Sequence, residues 1–431
     1  MNTISGLRWP GRRKLLPRRG PRSRLALSVP GQPQGLRFTE LLVVGVFALA
    51  YLLSISQPLF GIQINRTVLS HFPLTLLAPV LVLHFMGVWV NRKTPVWSEV
   101  LGGCWPLVLL GLYALVGSAV AKWALNVPDS FLTFGVYLLL LPLYAALTAG
   151  GDRVRAWAVV LVALSVVASC AALAGELVRV QERESLHEIE YLVATGFLVL
   201  FYVSRSVALK LLALALLIGA AVINYKLTGF IIAALAVLHI GLAAGWRRLP
   251  PAWRGPYRVA AVVAVLMVGA VLALLYTQFR NYLPSGNADV RLAQYEAVWR
   301  QFLESPVWGN AFLDGSGEGY REGMRLLYIP THSDVLDILK HGGLIALGLF
   351  AWGYWKVFAI INGAVVATRA DALLCAYFTG ARFFQVTALI TFAINPLLLK
   401  GPFLIVIWGN LGLALGLALA CLRAERGSPP P

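Results

Sequence analysis

Residues 332–355 read HSDVLDILKHGGLIALGLFAWGYW. From Leu344 to Trp355 the stretch holds no charged side chain, and the apolar composition continues past Lys356. A helix satisfies its own backbone in hydrocarbon and needs about 20 such residues to cross it. The stretch therefore predicts a membrane-spanning helix over 333–357. Its beginning is less simple, because His332, Asp334, Asp337, Lys340 and His341 crowd into ten residues. Charged groups near the bilayer interior cost several kcal/mol, so they are kept for function or for pairing with one another.

The rest of the chain is of the same kind. Of its 431 residues 59% are hydrophobic and 13% charged, where soluble domains carry about 25% charged residues. The chain reads as an all-α integral membrane protein, and water-soluble enzyme classes are excluded. Hydropathy predicts twelve spans, at 38–55, 68–90, 99–121, 130–148, 156–178, 190–204, 207–224, 227–245, 259–277, 333–357, 374–394 and 402–422. They make one membrane domain over 38–422, between a basic tail at 1–37 and a short tail at 423–431.

The net charge of +17 does not point to nucleic acid, because the basic residues sit in the N-terminal tail and in alternate short loops. Arg92/Lys93, Arg153/Arg155, Arg205/Lys210, Arg247/Arg248 and Arg423/Arg426 all fall on one side of the predicted membrane. By the positive-inside rule that side is cytoplasmic and both termini lie there. RRKLLPRRGPRSR (12–24) lacks the apolar run and cleavage site of a signal peptide. Cys104, Cys170, Cys375 and Cys421 have no paired spacing and read as small apolar residues.

One connection breaks the pattern of short loops. Residues 278–331 form a large outer, extracytoplasmic segment, and long loops on rigid scaffolds carry function. Within it DVRLAQYEAVWRQFLESP has helical spacing, with Val290, Ala293, Ala297/Val298 and Phe302 as a stripe and Pro306 as its stop. GNAFLDGSGEGYREG then reads as a glycine-rich irregular loop.

Four groups of residues are candidates for chemistry. His332 precedes the tenth span at the outer water boundary, where an imidazole serves as a general base near neutral pH. Asp334, Asp337 and His341 share a helical face, so with Lys340 they also fit a polar seam paired within the bundle. Thr331 and Asp334 have the spacing of a helix-capping pair. Lys226, in a short turn between two spans, fits either a lysine snorkelling to lipid phosphate or a fixed cation for a substrate phosphate. Arg291 lies one and two turns from Tyr295 and Trp299, a combination suited to sugar or diphosphate contacts. His187, Glu188 and Glu190 in the outer patch RVQERESLHEIE are weak metal ligands, since a single histidine stands among flexible acids.

Together these segments resemble the O-antigen ligase/polymerase superfamily of bacterial envelope glycosyltransferases. YKLTGF (225–230) is similar to that family's short t-x-S-R turn, with Lys226 where an arginine is usual. DVRLAQYEAVWRQFLESPVWGNAF (289–312) resembles its R-x(6–7)-W…P-x-x-G-x-G loop segment. HSDVLDILKHGGLIALGLF (332–350) resembles its H-N-x-x-L-x-x-L-x-x-x-G-x-x-G helix start, with Ser333 in place of asparagine. The resemblance implies a GT-C-type fold in the bacterial inner membrane with the active site on the periplasmic side. It implies an undecaprenyl-diphosphate-linked glycan donor, a glycan acceptor, inversion at the anomeric carbon, and neither metal nor other cofactor. His332 and Arg291 would be catalytic, Lys226 and Arg291 would hold the diphosphate, and Tyr295, Trp299 and Asp334 would contact substrate. A chain-length regulator and a flippase are the implied partners. Polymerisation of repeat units and ligation of finished glycan to lipid A-core both fit these motifs. A secondary transporter or a lipid-linked oligosaccharide flippase is the alternative from another class, though no convincing internal halves are visible.

Overall fold

The computed structural model describes residues 36–60, 97–248 with breaks at 126, 128–130, 152, 180–189 and 225–226, single positions between 250 and 263, and 286–427 with breaks at 316–317, 323–324, 330, 396 and 399–400. The span expected at 68–90, all but three residues of that at 259–277 and the turn bearing Lys226 lie outside the described residues. So do His187 and Glu188.

Apolar sequence forms helices here because a helix closes its own backbone bonds. They are α1 (Phe38–Phe60), α2 (Trp97–Ala124), α3 (Leu132–Ala149), α4 (Val154–Arg179), α5 (Glu190–Val203), α6 (Val207–Asn224) and α7 (Leu227–Arg248). After them come α8 (Gly286–Glu304), a hairpin of β1 (Glu318–Glu322) and β2 (Arg325–Ile329), then α9 (Asp334–Ala367), α10 (Ala372–Ile394) and α11 (Gly401–Glu425). Six of these, α2, α3, α4, α9, α10 and α11, are long and apolar enough to cross a membrane, and α1, α5, α6 and α7 contain shorter apolar helices. The architecture is that of an α-helical membrane protein.

Packing between spans relies on close backbone approach rather than on a hydrophobic drive, which lipid removes. α11 lies against α3 in this way. A Cβ at Gly416 would run into the carbonyl of Ala145 and the hydroxyl of Thr148. Thr148 Oγ1 in turn donates to Leu413 O at 3.0 Å. Around this seam Phe350, Phe392 and Trp408 form an aromatic core, with Phe392 and Trp408 stacked at 5.8 Å.

Ion pairs identify one end of the bundle. Arg153 meets Glu40 at 2.9 Å, Arg155 meets Asp371 at 3.3 Å and Arg423 meets Glu99 at 2.7 Å. These residues belong to the starts of α1, α2, α4 and α10 and the finish of α11, which therefore share one end. The opposite end carries α8, the hairpin and the start of α9.

Two features correct the sequence expectation. The outer glycine-rich stretch is not wholly irregular: residues 318–322 pair antiparallel with 325–329, with Gly319 opposite Tyr328, so the chain is not purely α. The tenth span is also not one continuous rod. α9 breaks at Gly343, whose φ of 63° and ψ of −162° divide it into a short helix, 334–342, and a long one beyond.

Candidate functional site

The break at Gly343 organises the outer end. In an unbroken helix Leu344 and Ile345 would donate to the carbonyls of Lys340 and His341. Here they donate instead to Pro306 O (2.9 Å) and Val307 O (3.3 Å). The released carbonyls of Lys340 and His341 accept from Asn310 N (3.3 Å) and Phe312 N (3.0 Å). Segment 306–312 therefore slots into the break and satisfies these four backbone groups of α9. The fit needs glycine on both sides. A Cβ at Gly343 would collide with the Val307 carbonyl, and one at Gly309 (φ 61°) with the Lys340 carbonyl. Tyr113 on α2 adds an anchor, its hydroxyl donating to Trp308 O at 2.6 Å.

The polar seam pairs with this same segment. His341 is fully buried, its Nδ1 lies 2.9 Å from Asn310 Oδ1, and its ring packs against both Phe131 and Phe312. Lys340 Nζ approaches Asp314 Oδ2 at 4.0 Å. These two residues fasten the loop to α9, and their partners come from the loop that precedes the helix. The paired-seam reading of Lys340 and His341 is thus the one the geometry favours.

Asp334 serves the fold as well. It is 1% exposed, and its two carboxylate oxygens accept from Leu397 N (2.7 Å) and Leu398 N (3.2 Å) in the turn between α10 and α11. These two bonds give Asp334 a backbone-holding role. The helix cap is likewise different from expectation. Ser333, not a Thr331–Asp334 pair, is the N-cap, its Oγ accepting from Leu336 N at 3.4 Å. Thr331 is buried, and its hydroxyl has no hydrogen-bond partner among the described residues.

His332 is half-buried at the start of α9 and is gripped twice by α8. Its Nδ1 lies 2.9 Å from Gln294 Oε1, and its backbone carbonyl accepts from the Tyr295 hydroxyl at 2.9 Å. An amide oxygen only accepts, so Nδ1 carries a proton, and in the neutral ring the lone pair lies on Nε2. That is the tautomer a general base requires. Gln294 is 6% exposed and sits with Val298 and Phe302 on the buried face of α8.

Arg291 is half-buried on α8, one turn before Gln294 and Tyr295, where Cβ atoms are about 5–6 Å apart. Its Nε is buried without a hydrogen-bond partner among the described residues. Arg291 thus lies one helical turn from the two residues that hold His332. Trp299 is 50% exposed and packs on Phe302 with ring centroids 5.1 Å apart. Gln294 was missed at the sequence level, since a neutral amide in an amphipathic helix gives no signal beyond its position one turn from Arg291.

No family model matches the chain, and no curated protein matches it.

Proposed function

We propose that the protein is a membrane glycosyltransferase that polymerises undecaprenyl-diphosphate-linked oligosaccharide repeat units, with inversion and without a metal. The observation that carries this reading is the bracing of His332 by Gln294 and Tyr295, with Arg291 one turn along the same helix. His332 Nε2 takes the proton of an acceptor hydroxyl as its oxygen attacks the anomeric carbon of the donor. The bond from that carbon to the diphosphate oxygen breaks, and the charge gathered on the departing diphosphate is met by the Arg291 guanidinium. Lys226 is the proposed second cation for that group. Its single ammonium supplies charge without the two-pronged geometry of arginine.

In this reading the ion-paired end of the bundle is cytoplasmic, with both termini, and the His332 end faces the periplasm of the bacterial inner membrane. The fold is of the GT-C type with twelve spans. The starts of α1 and α2 lie at the same end of the bundle, an arrangement that a further span at 68–90 would produce. A flippase delivering the donor and a chain-length regulator are the proposed partners.

The test is to supply the purified protein with an undecaprenyl-diphosphate oligosaccharide and resolve the products by size. A ladder formed without a second acceptor, and lost in His332→Ala and Arg291→Ala proteins that insert normally, supports polymerisation. Transfer to lipid A-core alone identifies a ligase. Full activity of His332→Ala removes the histidine from the reaction.

A further inference from the structure

A second polar cluster lies apart from His332 and its partners, on α5, α7, α9 and α10. Arg382 on α10 donates through Nη1 to Asn362 Oδ1 on α9 at 2.9 Å. Its Nη2 lies 2.9 Å from His239 Nε2 on α7. A guanidinium only donates, so His239 Nε2 accepts and Nδ1 carries the ring proton. That Nδ1 lies 3.0 Å from the Tyr202 hydroxyl at the finish of α5. The imidazole is therefore neutral, and the four side chains together carry one positive charge. Among the described residues the guanidinium has no carboxylate partner.

An uncompensated cation inside a membrane bundle is expensive and persists when something supplies the opposite charge. The position says where that charge comes from. Asn362 stands five residues before Ala367, the finish of α9, which is about 7.5 Å of helix. Tyr202 is one residue from the finish of α5. The side chain of Arg382 leans toward the start of α10, the same end of the bundle, because Cα–Cβ bonds tilt toward a helix N-terminus. All four side chains are half-buried, so the cluster is open on one side. A rim of charge of the same sign leads to it: Arg205 is exposed beside α5, and Lys210 lies over the Phe201 ring at 5.7 Å.

We infer that Arg382, with Asn362, His239 and Tyr202, forms a binding site for the phosphate group of an anionic lipid, in the membrane leaflet at the ion-paired end. The guanidinium supplies charge and a flat fork of donors suited to phosphate oxygens, and Asn362 and His239 hold that fork in one orientation. The exposed apolar side chains Trp355, on α9, and Leu209, on α6, fit a site whose ligand is carried by an acyl or isoprenoid chain. The site is independent of the glycosyl-transfer reading and stands if that reading fails.

The full-length protein, purified in maltoside and stripped of lipid, is titrated separately with phosphatidylglycerol, undecaprenyl monophosphate and inorganic phosphate. Thermal unfolding and native mass spectrometry read the binding. Stabilisation by either lipid supports the site, and the lipid that acts at the lower concentration identifies the source. Asn362→Asp separates a binding site from a structural knot, because it places a carboxylate against Arg382. That variant is expected to melt no lower than wild type without lipid while binding about tenfold or more weakly. Arg382→Gln is expected to lose binding altogether. Wild-type lipid affinity in Asn362→Asp, or stabilisation by inorganic phosphate and by neither lipid, overturns the inference.

Discussion

Replacing Gly343 by alanine tests the link between the break in α9 and the braced histidine. Gly343 occupies φ 63° and ψ −162°, a region open essentially to glycine alone, and forcing another residue there costs about 1–3 kcal/mol. The new methyl group would also meet the Val307 carbonyl and the Trp308 amide, so segment 306–312 must retreat. If α9 straightens, Leu344 and Ile345 regain helical partners, but Pro306 O, Val307 O, Asn310 N and Phe312 N lose theirs. Two hydrogen bonds vanish on balance, at about 1 kcal/mol each. The expected destabilisation is about 1–3 kcal/mol, since the chain either keeps the break and bears the backbone cost or straightens and loses the two hydrogen bonds. Thermal unfolding in detergent followed by tryptophan fluorescence reads it, and Trp308 lies within the displaced segment. Gly348→Ala is the control: nothing stands within 4 Å of its added methyl, so alanine should be neutral or better by about 0.5–1 kcal/mol. Equal melting of the two variants would refute the idea that segment 306–312 is locked into the break.

Gln294→Leu should lower glycan transfer at least tenfold with little change in melting, because Nδ1 of His332 loses the acceptor that fixes its tautomer, whereas Gln294→Glu should retain activity; comparable rates in the two would exclude that role. Asp334→Ala should cost about 3 kcal/mol or more by leaving two buried backbone amides without their charged acceptor, and Asp334→Asn should recover part of it in the same melting assay. Glu40→Gln should destabilise far more than Glu99→Gln. Glu40 and Arg153 are nearly buried, with 8% and 12% side-chain exposure, so about 3–5 kcal/mol is expected, against less than about 1 kcal/mol for Glu99, whose side chain is 44% exposed.

The helices were legible because hydrocarbon leaves a backbone few choices, and α3, α5, α6 and α10 agree with the predicted spans to within a few residues. The amphipathic helix of the outer segment was legible for the same reason of period. Its buried row was not: Gln294 takes a place beside Val298 and Phe302, and nothing local distinguishes an amide that will meet a histidine from one that will meet water. The break in α9 was concealed for a different reason. KHGGL (340–344) continues an apolar helix in composition, and the glycine pair gains its meaning from residues 306–312, some thirty positions away. Asp334 shows the same limit, since capping is a local inference and its true partners at 397 and 398 are not local.

That long-range bond has a consequence for how the protein is made. Asp334 lies two residues from His332, yet the amides that hold its carboxylate are 63 and 64 residues further along the chain. While α9 and α10 enter the membrane during synthesis, the Asp334 carboxylate has yet to meet the amides of Leu397 and Leu398. The outer site is completed when the turn before α11 arrives. A chain cut short before that turn would insert nearly all of its helices and still leave Asp334 without the two amides that hold its carboxylate.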